Sequence, residues 1–237
     1  KIFNASKFVH LQLEGDNEFG ATDISHPLDV SFILTLNRLV SKATESFQRF
    51  DFATALHRTE DLFWQFCDHY LELVKTRAYA EDASPERRSA RATLMLSLQT
   101  FLKLLAPFQP YVTEEVWSWL FADQSGDKSI HRSSWPKPID LDTTDERVSE
   151  ETLAVAISVV SQIRGAKSAA QKSLKWPVET LRVSGPQSTL TQFELIKGDV
   201  LRAGIVDVDA VSTYDEEAPE KELLAVEVAL APINPNA

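Results

Sequence analysis

Along the first two thirds of the chain, apolar residues recur at three- and four-residue intervals, the period of helices with one buried face rather than the alternation of strands. An amphipathic piece is predicted over 2–13. A polar stretch through Gly15 and Gly20 then leads to His26-Pro27, and a long helix begins near Leu28 with Phe32, Leu36, Leu39, Ala43 and Phe47 on one face. The next helix carries Phe52, Leu56, Phe63, Phe66, Tyr70 and Val74 on one stripe and Trp64, Cys67 and Leu71 on an adjoining one, the pattern of a central helix with several neighbours. Ser84-Pro85-Glu86 supplies a capping hydroxyl and a first-turn proline. The helix it opens presents Leu94, Leu98, Phe101 and Leu105 and stops before Pro107. Thr113-Glu114-Glu115 reads as the cap and acidic first turn of a shorter helix bearing Val116, Trp117 and Leu120. The expectation is a bundle of four or five antiparallel helices.

The stretch 123–145, with Gly126, Pro136, Pro138 and many acids, reads as a loop holding at most a short extended piece over 129–135. Beyond it, Ser149-Glu150-Glu151 opens a helix with Leu153, Ile157, Val160 and Ile163 inward, which ends by Trp176 because Pro177 follows. A strand over 179–184, a helix over 187–196 and strands over 205–213 and 223–230 complete a small α+β module. The fold class is mainly α: a helical domain over 1–145, then a small α+β domain over 146–237.

Composition adds bounds. The 237 residues are 43% apolar and 25% charged, enough for one or two cores. The single Cys67 forms no internal disulfide and no multi-cysteine zinc site. No run of roughly 18 apolar residues occurs, and no basic-then-apolar leader opens the chain, so no membrane partner is expected and the cytoplasm is the default location. Starting at Lys1-Ile2-Phe3-Asn4 inside a periodic pattern, the sequence reads as part of a longer chain. The net charge is −11, with 16 basic against 23 acidic residues through Glu150 and 8 against 12 after it. A general polyanion binder is basic, so any nucleic-acid contact must come from local patches, and no DNA partner is expected.

Catalytic chemistry finds no foothold. No phosphate-cradling glycine loop, paired Cys-x-x-Cys or His-Glu-x-x-His occurs, and no catalytic or metal-ligating residue is assigned. His57 and His69 are more than three helical turns apart. Glu114-Glu115 and Glu216-Glu217 read as a first helical turn and a solvated loop, and Cys67 as a buried structural thiol with no basic neighbour. Trp64, Trp117 and Trp119 read mostly as core; Trp135 and Trp176, each before a proline, either face a ligand or cover a seam between the domains. Arg164, Lys167, Lys172 and Lys175 share one side of a helix by spacing, and are either a phosphate-binding face or a solvated one. Arg38, Lys42 and Arg49 form a weaker basic group on the first long helix. Phe50, in the turn after it, either stacks on a base or packs inward, inward packing being the expectation for an isolated Phe.

Several motifs together resemble the part of valyl-tRNA synthetases that follows the catalytic domain. Lys1-Ile2-Phe3-Asn4-Ala5-Ser6-Lys7-Phe8-Val9 is similar to K-L-W-N-A-x-R-F-V; Phe50-Asp51-Phe52-Ala53 and the run Phe63-Trp64-Gln65-Phe66-Cys67-Asp68-His69-Tyr70-Leu71-Glu72 to F-D-x-A and F-W-x-x-F-C-D-x-Y-L-E. Leu104-Leu105-Ala106-Pro107-Phe108-Gln109-Pro110-Tyr111-Val112-Thr113-Glu114-Glu115-Val116-Trp117 resembles L-L-x-P-F-x-P-F-x-T-E-E-x-W. The Cys-Asp-x-Tyr-Leu-Glu run favours the valine over the isoleucine enzymes. The resemblance implies a class I anticodon-binding helix bundle and valine-accepting tRNA as partner. It also implies a catalytic domain elsewhere in the same chain that uses ATP and Mg²⁺; its HIGH and KMSKS motifs are not in this sequence, so the piece itself has no cofactor and no catalysis. Two departures stand out. Asp29 to Asn37 lacks both arginines of the family's D-R-W-x-x-S-R-L-N, and residues 149–237 lack the heptads of a coiled-coil tail. An acidic helical scaffold for another protein is the alternative the charge suggests.

Overall fold

A computed structural model describes residues 1–13, 19–142, 145–216 and 223–232, with Gln124 described in its backbone only. The expectations at Gly15 and Glu217 lie outside the described residues. The chain divides into two compact units, Lys1–Leu71 with Arg77–Thr144, and Glu72–Thr76 with Asp145–Ala237.

The helices up to residue 125 are α1 (Ile2–Leu13), α2 (Pro27–Gln48), α3 (Phe52–Gln65), α4 (Leu71–Ala78), α5 (Pro85–Leu105), α6 (Pro110–Leu120) and α7 (Ala122–Ser125); all belong to the first unit except Glu72–Thr76 of α4, which group with the second. Ser84 caps α5 as its sequence predicts, accepting from the Arg87 amide at 3.3 Å. A π turn at Phe66–Tyr70 joins α3 to α4. Phe63, Phe66, Tyr70 and Val74 are buried across it, while Trp64 is exposed, Cys67 is only half-buried, and Trp119 on α6 is exposed. Of the second apolar face expected of this helix, only Leu71 is buried. Of the three helical tryptophans only Trp117 is core, its indole donating to the Asp127 carbonyl at 2.8 Å.

An aromatic cluster fills the centre, with Phe32 stacked on Tyr70 at 4.2 Å and Phe66 5.4 Å from Phe101. Beside it lies a buried charge that the hydrophobic pattern did not reveal. Asp29 accepts from both Arg77 guanidinium nitrogens at 2.8 Å, and from the Tyr70 and Ser89 hydroxyls at 2.7 Å. Burial alone would raise the Asp29 pKa, but Arg77 and these donors hold it below the usual carboxylate value.

Two local readings are corrected. The α6 helix starts at Pro110, because Thr113 turns its hydroxyl back to the Gln109 carbonyl at 2.9 Å instead of capping. Glu114 is accordingly not in a first turn; it accepts from the Ser129 hydroxyl and the Ile130 amide, both at 3.0 Å. It thereby fixes a 3₁₀ turn at Ile130–Arg132, where an extended piece was expected.

The second unit contains α8 (Glu150–Ala169), β1 (Val178–Gly185), α9 (Gln187–Gly204), β2 (Val211–Asp215) and β3 (Ala225–Leu230). β1 is central, parallel to β2 through α9 (Leu181 beside Val211) and antiparallel to β3 (Leu181 beside Val228). α9 continues eight residues past its expected end because Val200 and Leu201 still face the core; Ile205 then stops it in the left-handed region, φ 55°. The expected strand 205–213 shortens to β2 behind a 3₁₀ turn at Val208–Ala210.

Candidate nucleic-acid interface

On α2, Arg38, Lys42, Glu45 and Arg49 fall at i, i+4, i+7 and i+11, one exposed face. Glu45 sits 3.0 Å from the Lys42 ammonium and 3.9 Å from the Arg49 guanidinium. These are exposed pairs worth no more than about 1 kcal/mol, which a phosphate can displace.

The helix ends at Phe50, which takes the left-handed conformation (φ 61°) usual for glycine and donates its amide to the Phe47 carbonyl at 3.0 Å. A non-glycine residue there costs about 1–2 kcal/mol. The conformation leaves the ring 80% exposed, so the expected inward packing is overturned. Asp51 caps α3 through the Thr54 amide at 3.2 Å, which fixes the turn. Phe50 meets Phe52 edge-on at 6.1 Å, and Phe52 meets Phe47 at 5.3 Å, so an aromatic surface emerges beside the basic face.

A strap over 135–139 lies along α2. Trp135 donates its indole N–H to the Thr44 hydroxyl at 2.9 Å and packs 4.7 Å from Phe47. Asn37 grips the other end, giving its amide to the Ile139 carbonyl at 2.8 Å and accepting the Ile139 amide at 2.6 Å. Pro136 and Pro138 keep the backbone between them extended. From Lys128 to Ile139 the sequence holds Lys128, Arg132 and Lys137 and no carboxylate. That acid-free run in an acidic chain was the available signal for the strap, and spacing rules tuned to helices pass over it.

The second basic group does not form the face its spacing suggests. α8 stops at Ala169, and Gln171 turns with φ 55°, so Lys172 and Lys175 lie beyond the helix that carries Arg164 and Lys167. Lys167 is 1% exposed and donates to the Leu174 carbonyl at 3.0 Å and the Gly204 carbonyl at 2.6 Å, out of reach of a phosphate. Lys172 lies over the Trp176 ring at 4.1 Å, and Arg182 is paired with Glu216 at 2.8 Å. The Trp176 indole donates to the Ala231 carbonyl at 2.8 Å, so Trp135 and Trp176 each have their ring nitrogen anchored within their own unit.

Burial pushes the Cys67 thiol up to about 11, leaving it protonated and unreactive at neutral pH. Among the described residues no group of three or more His, Cys, Asp or Glu could hold a metal ion, and no helix is long and apolar enough to cross a membrane.

A helix bundle that presents a basic face and exposed aromatics is a form that meets nucleic acid, and the family comparison gives it a class. The chain belongs to the family described as the anticodon-binding domain of tRNA ligase, which matches residues 29–182. It is similar to the valine–tRNA ligases of Salinispora arenicola (41% identical over 93% of this chain and 27% of that protein) and Thermobifida fusca (39% over 98% and 25%). A third relative, the valine–tRNA ligase of Cutibacterium acnes, is 37% identical over 85% of this chain and 22% of that protein. The chain thus spans about a quarter of the length of the curated relatives it matches.

Proposed function

We propose that this chain is the part of a valine–tRNA ligase that holds the anticodon end of valine-accepting tRNA. The observation that carries this reading is the left-handed Phe50, held out of the core at the end of the α2 basic face in a chain of the anticodon-binding family. A strained residue kept exposed is the kind of feature that function retains. In this reading Phe50 stacks on an unpaired base, and Arg38, Lys42 and Arg49, joined by Lys137 of the strap, meet the loop phosphates. Arg164, Lys172 and Lys175 make secondary phosphate contacts; Lys167 makes none. Residues 1–145 act as the anticodon domain and 146–237 as a separate appended domain. ATP and Mg²⁺ act outside this chain, which has neither HIGH nor KMSKS, and the enzyme works in the cytoplasm.

The test is titration of the chain with valine tRNA, an anticodon-changed version and an unrelated tRNA, at low and moderate salt. Preference for the valine anticodon, weakened about tenfold by Phe50→Ala through loss of one stacked base, is expected. Equal affinity for all three, unchanged by Phe50→Ala and by the triple alanine variant of Arg38, Lys42 and Arg49, would overturn the reading and favour a protein-binding scaffold.

A further inference from the structure

The first residues of the chain border an apolar surface that stays open to water. Lys1 and Phe3, Trp64 of α3 and Val112 of α6 line one cleft of about 220 Å³, with the buried Phe63 and Leu105 at its floor. Trp119 lies seven residues after Val112 on the same face of α6 and meets Phe3 edge-on at 5.2 Å. Phe3, Trp64 and Trp119 are 41%, 44% and 40% exposed. A covered aromatic side chain buries about 150–250 Å², so these three rings leave roughly 200–300 Å² of apolar area in water. Apolar residues exposed singly need no explanation, but three rings gathered around one cleft mark a surface that another surface covers.

The polar groups at the rim decide what kind of partner fits. The Lys1 ammonium is already engaged, 2.6 Å from the Asp68 carboxylate and 3.7 Å from the centroid of the Trp64 ring. The Trp119 indole donates to Glu115 at 3.1 Å, and Glu60 lines the cleft. With Lys7 over the Phe3 ring at 4.7 Å, three carboxylates stand against two ammoniums, so a polyanion is not drawn here and an apolar protein segment is. A stable pair of separate molecules covers about 800 Å² on each partner, several times what these rings offer. A segment of the same chain needs far less, because its tether holds it at an effective concentration on the order of millimolar. The Lys1 carbonyl accepts the Ala5 amide at 3.0 Å, so the ladder of α1 begins at Lys1 and the chain ahead of it leaves at the rim of this cleft. The valine–tRNA ligases that this chain matches are about four times as long, and the match falls in their C-terminal part. We propose that this surface seats the part of the same ligase chain that precedes Lys1, with an apolar side chain of that part in the cleft. The inference rests on the chain being the later part of a valine–tRNA ligase, and not on any contact between tRNA and Phe50 or α2.

Hydroxyl-radical labelling of the full-length ligase without tRNA, read by mass spectrometry, tests the seat. Phe52 is the internal standard, the same ring at 45% exposure outside the cleft lining. Phe3 should be labelled about fourfold less than Phe52, the ratio for a ring covered from 41% to about a tenth exposed. Trp64→Asp changes an exposed residue and sets a carboxylate where the segment must dock, so Phe3 labelling should rise to the Phe52 level. Equal labelling of Phe3 and Phe52 in the unaltered ligase, or Phe3 protection that survives Trp64→Asp, would overturn the seat. Protection that appears only when tRNA is added would overturn it in favour of RNA, and protection that grows with protein concentration in favour of a second copy. If tRNA binds nowhere, the stacking role of Phe50 falls while the seat stands on the labelling of Phe3.

Discussion

Lysine 167 is the residue where spacing and structure disagree most sharply, and Lys167→Met separates them. Its ammonium is 1% exposed and donates to the carbonyls of Leu174 and Gly204. Methionine keeps the apolar stem and removes the donor, leaving two carbonyls without it; each such loss costs about 1–3 kcal/mol, offset in part because no ammonium is then desolvated. Burial, with Arg164 adding repulsion, lowers the lysine's pKa from 10.5 to about 8. Below pH 8 the folded and unfolded chains both carry the proton. Between pH 8 and 10.5 the folded chain releases it while the unfolded chain keeps it, so stability rises with pH through this window. The rise amounts to about 3 kcal/mol at about 1.4 kcal/mol per unit. The neutral amine retains two N–H groups and still serves both carbonyls. Urea unfolding at pH 7, 8, 9 and 10, followed at α9 by the methyl NMR signals of the buried Val200 and Leu201, gives the difference between wild type and variant. Other titrating groups cancel in that difference, which should widen steadily above pH 8. A flat difference, or acylation of Lys167 as fast as that of Lys172 and Lys175, would refute the buried placement and restore the basic helix face.

Three further outcomes are expected. Arg77→Met strands the Asp29 carboxylate and should destabilise by about 3–5 kcal/mol at pH 7, read as a fall in thermal midpoint. In the wild type the Asp29 contribution is present above the unfolded value near 3.9 and is lost as pH falls through the lowered folded one. In the variant, uncompensated burial raises that pKa, so the deficit should shrink on acidification. Asn37→Ala removes both holds on Ile139, and faster hydrogen exchange at the Ile139 amide, with a loss of about 1–2 kcal/mol, is the expected result. Glu45→Gln frees Lys42 and Arg49 and should raise tRNA affinity several-fold while steepening its salt dependence.

Helices announced themselves wherever one apolar face met clear punctuation. Pro27, Ser84-Pro85 and Ser149 begin three helices as written. Errors gathered where a local rule competed with tertiary packing. Thr113 looks like a cap, yet Pro110 starts the helix; the helix expected over 187–196 does not end there, because Val200 and Leu201 carry α9 onward into the core. The basic face at Lys167 was projected along an ideal helix that in fact ends at Ala169. No period in the sequence reports a backbone torsion, so Phe50 was expected inside. Asp29 and Arg77 are 48 residues apart, and a pairing at that distance leaves no trace in a hydrophobic pattern. The α2 cations were legible because their spacing lies wholly inside one helix.

The acidity of the body has a consequence for how a polyanion arrives. A basic protein gathers nucleic acid over its whole surface and must then sort the encounters. In a chain of −11, the function proposed above makes the cations of α2 and the strap a local exception on a surface that repels polyanions at long range. On that proposal, the field disfavours approaches to other faces, and some affinity is given up for orientation.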